Sequence, residues 1–108
     1  MNIFICSKLR GDIKRNTERA KQFSREVLMQ GHIPFTPHIY FTLFLDELNE
    51  EERNQGMNAG LEWLKLCDEM WVFDEEISEG MQKEIDYAIK NNIKVKEVVK
   101  KDGKIKRT

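Results

Sequence analysis

Four short apolar runs, rich in β-branched and aromatic residues, recur along the chain with helix-length stretches between them: NIFIC at 2–6, HIPFTPHIY at 32–40, EMWVF at 69–73 and IKVKEVV at 93–99. Such runs, bounded by turn signals, read as strands. A strand, a helix and a further strand in succession make a right-handed crossover between parallel neighbours. The alternation therefore predicts an α/β domain with one mainly parallel sheet of four to five strands. Ligands of such sheets bind beyond the carboxyl ends of the strands, where the strand order reverses. The loops that matter are then 7–12, 36–48 and 74–80.

The stretches between the runs carry helix signals. Asp12 caps a first helix, with Ile13, Ala20, Phe23 and Val27 at helical spacing, and Gly31 stops it near Gln30. Pro34 and Pro37 mark the second run as an edge strand or its exit. FTLFLDEL (41–48) fits either a short helix or a lid. Asn49, with Glu52 three residues on, is a capping-box-like start for a helix running to about Leu66, with Met57, Leu61 and Leu64 on one side. Ser78 caps a third helix whose core face carries Met81, Ile85, Ala88 and Ile89. Asp102-Gly103 reads as a turn, and residues 100–108 as a frayed basic tail on a single domain spanning 1–108.

Composition narrows the class. A chain of 108 residues supports one modest core. With 34% charged and 40% hydrophobic residues it suits a globular domain in water, with no partner membrane and no segment approaching a span. A net charge of −1 argues against nucleic acid as a partner, but leaves room for a small anion held by local basic groups. The N-terminal apolar run is short and lacks a preceding basic region, so a cytoplasmic protein is expected. Cys6 and Cys67 lie in or beside apolar stretches, fit no metal-ligand spacing, and read as buried and reduced. No metal or cofactor is expected.

The strand-end loops hold the candidate chemistry. In SKLRGD (7–12), Ser7, Lys8 and Arg10 offer donors and Gly11 permits close backbone approach, just before a helix N-terminus that favours anions. A solvated turn with an ordinary cap is the alternative. In SEGMQKE (78–84), Ser78 is a good cap, but Gly80 inside the first turn costs about 1 kcal/mol against alanine. Leaving backbone N–H groups open to a ligand would offset that cost. At 100° per residue Glu84 falls at the margin of the Met81, Ile85 and Ala88 stripe, which makes it a catalytic candidate or a salt-bridged rim residue. His38 and Tyr40 leave the second strand as possible proton donors or stacking partners, or as structural residues. Trp63 and Trp71 read as packing. Gly56 and Gly60, one turn apart, suit close packing, a ligand or a partner copy. DELNEEER (46–53) reads mostly as a solvated helix start.

IFICSKLRGD, GHIPFTPHIYF, GLEWLKLCDEMWVF and SEGMQKEIDYA together resemble the nucleoside 2-deoxyribosyltransferase superfamily, over residues 2 to about 97. Within it they are similar to a branch of small proteins related to 2′-deoxynucleoside 5′-phosphate N-hydrolases. The resemblance implies a flavodoxin-like (Rossmann-like) three-layer sandwich, a homodimer, and a small-molecule nucleoside or nucleotide ligand. It implies cleavage of the N-glycosidic bond, or transfer of the deoxyribosyl group, through a glycosyl-enzyme intermediate. The branch spacing Ser-x-Gly-x-x-x-Glu falls on Ser78, Gly80 and Glu84. That makes Glu84 the nucleophile and Ser78 a phosphate contact, and it places Arg10 and Gly11 in the phosphate-side loop. Two positions depart from the branch: Phe4 stands where it has tyrosine, and Gly60 where it has an aspartate that helps the base to leave. Losing a general acid costs about a hundredfold to ten-thousandfold in rate. Either His38, Tyr40 or Asp46 takes that place, or the chain is a nucleotide-binding or sensing domain with weak or no catalysis. An interaction module that keeps only the fold is the blander alternative.

Overall fold

The computed structural model describes residues 1–101 and 104–107. In chain order the elements are β1 (Asn2–Cys6), α1 (Ile13–Met29), β2 (Ile33–Phe35), α2 (Pro37–Tyr40), a 3-10 turn (Phe41–Leu43), α3 (Glu50–Leu64), β3 (Glu69–Val72), α4 (Glu79–Lys90), β4 (Lys94–Lys101) and β5 (Lys104–Arg107). They form one sheet in the order β2-β1-β3-β4-β5. The first four strands are parallel and β5 runs antiparallel to β4. This is the flavodoxin-like arrangement, and β1 lies at its switch point.

Side-chain alternation along the strands builds the three layers. Ile3 and Ile5 face one way with Trp71, against Phe23 and Val27 of α1. Phe4 and Cys6 face the other way with Met70 and Val72, against Leu64 of α3 and Met81 and Ala88 of α4. Each fully buried side chain of this kind contributes about 1.5–3 kcal/mol. Both cysteines are free and buried. Among the described residues, no helix is long and apolar enough to cross a membrane.

The capping residues act as their types predict. Asp12 accepts from the Arg15 N–H, Asn49 from the Glu52 N–H and Ser78 from the Met81 N–H. Gly31, at φ +90°, ends α1 in the left-handed region. Glu52 turns away from its own cap and accepts from the Asp46 N–H, so only half of a capping box forms.

Three local expectations need correcting. The second strand stops at Phe35, because Pro37 has no N–H for a ladder and its fixed φ suits the first position of α2. Ile89 is exposed, and the buried positions of α4 are Met81, Glu84 and Ala88, spaced i, i+3, i+7. The basic end, expected to fray, supplies β5, whose backbone pairs with β4 from Lys101↔Lys104 to Val98↔Arg107. The turn expected at Asp102-Gly103 falls outside the described residues. Gly56 and Gly60 are covered by their own chain: a Cβ on Gly56 would lie 3.2 Å from Leu45 Cδ1, and one on Gly60 3.2 Å from Pro37 Cβ. They let α2 and the following turn lie against α3, so they leave no flat face there for a partner copy.

Candidate functional site

The β1–α1 loop is built before any ligand arrives. Asn16, buried on the first turns of α1, donates to the carbonyls of Leu9 (3.1 Å) and Arg10 (3.2 Å). Asp74, just past β3, accepts from the Lys8 N–H at 2.9 Å and pairs with Arg19 of α1. Gly11 has φ +102°, a turn conformation that glycine adopts freely, and nothing lies within 4 Å of where its Cβ would be. Its role is therefore the turn itself. Neither Asn16 nor Asp74 carried a sequence signal for this work: the partners of Asp74 are set by tertiary contact, and those of Asn16 by the path of the loop before it.

Beyond the ends of β1 and β3 a cavity of about 250 Å³ opens, lined by Ser7, Arg10, His38, Ser78, Gly80 and Glu84 among others. The volume suits one small molecule, just below the roughly 300–1,000 Å³ of most ligand pockets. These six candidates are brought together. Gly11, Tyr40 and Asp46 are not among the lining residues. Tyr40 turns to the aromatic cluster, with its ring 5.3 Å from Trp63 and 5.1 Å from Phe41. Asp46 is exposed and accepts from the Leu48 N–H at 2.9 Å, closing a small turn. Leu9 and the charged residues Glu47 and Arg53 line the cavity without having been site candidates, as does Met57, which the sequence placed on one side of its helix. An acidic run that reads as solvated concealed Arg53, and Glu47 lies one residue from the candidate Asp46.

Glu84 forms the inner wall. It is 7% exposed, and burial pushes its carboxyl up to about 8, against a hydrogen bond from the Cys6 thiol that pulls it down. Cys6 shares the sheet face of α4, and its Sγ also lies 4.0 Å from the Met81 carbonyl. Burial and the nearby Glu84 raise the Cys6 thiol well above its ordinary value, so it stays protonated. His38 Nε2 and Ser7 Oγ share a 2.9 Å hydrogen bond. Burial lowers the His38 pKa to about 4 while the charge of Asp74 works the other way, which leaves the imidazole neutral at pH 7. On the α4 side, Ser78 Oγ accepts from the Met81 N–H and keeps its own hydrogen to offer a ligand. A Cβ on Gly80 would come within 3.3 Å of the flexible Met57 Cε, so this glycine is not required by bulk alone.

The sequence pattern of a domain of unknown function (DUF7768) matches residues 1–98. The chain belongs to that family. No curated protein matches the DUF7768 chain in sequence. Its fold is similar to that of a 2-deoxyribosyltransferase from the psychrotolerant bacterium Bacillus psychrosaccharolyticus, with a TM-score of 0.69 and 15% identity over 88% of this chain and 69% of that one. At that identity the likeness shows the shared fold.

Proposed function

We propose that the cavity binds a 2′-deoxynucleoside or its 5′-monophosphate and cleaves the N-glycosidic bond, with Glu84 as nucleophile. The observation that carries this reading is a buried carboxyl on the wall of a switch-point cavity whose other walls supply Arg10, Ser78 and the open first turn of α4. The Ser78, Gly80 and Glu84 spacing and the fold shared with a deoxyribosyltransferase support the same chemistry. The carboxylate attacks C1′ as the C–N bond breaks, and the bonding pair leaves with the base, which takes up a proton. Water or a second base then displaces the carboxylate and releases the sugar.

The proton inventory limits the rate. With its pKa at about 8, only about a tenth of Glu84 is ionised at pH 7. Neutral His38 is a hydrogen-bonding contact rather than an acid. At Gly60 the space of the branch aspartate is filled by Pro37. These observations favour a second reading, a nucleotide-binding site with weak turnover. Free-base release from a panel of deoxynucleosides and monophosphates separates the two. Release that is lost in Glu84→Gln supports the enzyme. Calorimetric binding without release in the unmutated protein supports the binding domain.

A homodimer belongs to the same proposal. Its contact moves from the α3 glycines to the segment before α3, where Leu43, Phe44 and Leu48 are 76%, 60% and 85% exposed.

A further inference from the structure

Among the charged side chains on the cavity wall are Arg10 from the β1–α1 loop, Arg53 from the start of α3, and Glu47 from the segment before α3, and the last two have no role in the cleavage proposed above. Arg10 is exposed and the other two are half-buried, so they form the outer part of the wall, above buried Glu84. Glu47 is held in place by its neighbours. The turn closed by Asp46 Oδ1 and the Leu48 N–H has Glu47 at its centre, and Glu52 of α3 anchors the Asp46 N–H at 3.1 Å. The turn leaves Leu48 in solvent while Glu47 lines the cavity.

We infer that Glu47 is a built-in counter-anion, whose carboxylate offsets the charge of Arg10 and Arg53 on the cavity wall and opposes a phosphate dianion that binds there. All three side chains line one cavity. Burial pushes the Glu47 carboxyl up, while the charges of Arg53 and then Arg10 pull it down, so both guanidinium groups act on it. Two guanidinium groups on one cavity wall can both grip phosphate oxygens, which a lone arginine cannot. A carboxylate on the same wall opposes that phosphate by like charge. The other charged groups around the cavity, Glu79 and Glu84, belong to α4, and Glu84 is largely protonated at neutral pH. Glu79 is exposed and lies 4.0 Å from Lys83, which leaves Glu47 as the half-buried carboxylate that shares the wall with the arginines. The inference rests on the reading of this cavity as an anion site, but not on bond cleavage.

Calorimetric titration with inorganic phosphate, and with a deoxynucleoside 5′-monophosphate beside its nucleoside, tests it at neutral pH. Glu47→Gln is expected to tighten both phosphate probes about five- to tenfold, as removal of a competing negative charge should, and to leave the nucleoside unchanged. Arg53→Met is expected to weaken both phosphate probes, and in that background Glu47→Gln should gain less. Tightening of the nucleotide but not of inorganic phosphate would assign Glu47 to the sugar or base and overturn the inference. So would unchanged or weaker phosphate binding in a Glu47→Gln protein that still melts cooperatively. Base release is not read in this experiment, so a protein that cleaves nothing still decides it.

Discussion

Glu84→Gln tests the buried carboxyl without a substrate. In the folded protein burial holds its pKa at about 8. In the unfolded chain a glutamate titrates at about pH 4.3. Between those values the folded state keeps a proton that the unfolded state has released. The folding contribution of this group is therefore fully present below the unfolded pKa and is lost as pH rises towards 8. At about 1.36 kcal/mol per unit, the loss is on the order of 3.5 kcal/mol by pH 7 and 5 kcal/mol by pH 8. Both are upper figures, because opening of the cavity to water would relieve part of the strain on the charged form. The amide cannot ionise and keeps the shape. Urea unfolding at pH 5, 7 and 8.5 should then show Glu84→Gln close to the unmutated protein at the lowest pH and more stable by several kcal/mol at the highest. Other titrating groups cancel in the difference. A stability difference that is the same at pH 5 and 8.5 would mean that Glu84 titrates like a surface residue, and the burial argument would fail with it.

His38 works on the acid side: its folded pKa lies below the unfolded value near 6.5, so stability is lost as pH falls from about 6.5 to about 4, by up to about 3 kcal/mol. His38→Gln should flatten that limb in acid titrations of stability; an unchanged limb would contradict its burial. The Cys6 thiol donates towards Glu84, so Cys6→Ser, a stronger donor, should lower the Glu84 pKa and Cys6→Ala should raise it. Carboxyl carbon chemical shifts across pH read this directly, and equal pKa values in the two variants would reduce Cys6 to packing. Phe44→Glu with Leu48→Glu should convert a micromolar dimer to monomer in light scattering, and an unmutated protein that is already monomeric removes the homodimer.

The sheet was legible because its evidence is local. Each of the four parallel strands sits in a run of apolar residues, and the alternation of Ile3 and Ile5 with Phe4 and Cys6 reports two covered faces. β5, with the sequence KIKR, has no such run and was missed. Pro37 shows where local evidence divides: the same residue marks the exit of an edge strand and the first position of a helix, and here β2 ends at Phe35 and α2 begins at Pro37. Six of the site candidates were legible because strand-end loops converge in any sheet of this order. Periodicity put Glu84 at the edge of a stripe, since a helix wheel knows nothing of a cavity made by residues 70 positions away. Asp74 was illegible for the same reason, as its hydrogen bond ties together two loops that only the fold brings close. Asn16 was illegible because its bonds to the carbonyls of Leu9 and Arg10 depend on how the β1–α1 loop turns. Arg53 was hidden by the acidic run around it, of which Glu50 and Glu51 are exposed while Arg53 is half-buried.

At neutral pH burial keeps Glu84, His38 and Cys6 uncharged, so the inner cavity is nearly neutral before a ligand enters. A phosphate held at Arg10 would raise the Glu84 pKa further, through like charge. A sugar that becomes cationic beside it would lower that pKa, through opposite charge. The carboxyl is then a neutral hydrogen-bond donor with the substrate and an anion at the transition state. Only interactions that strengthen between those two states speed the reaction. A deoxyribose analogue with a protonated nitrogen in its ring imitates the second state. Its binding at pH 7 should expel the Glu84 proton, whereas the neutral sugar should expel none. Calorimetry in buffers of different ionisation enthalpy counts that proton. Glu84→Gln should bind the cationic analogue more weakly and release nothing. If the unmutated protein binds the cation without releasing a proton, Glu84 does not face the anomeric centre, and the nucleophile assignment falls.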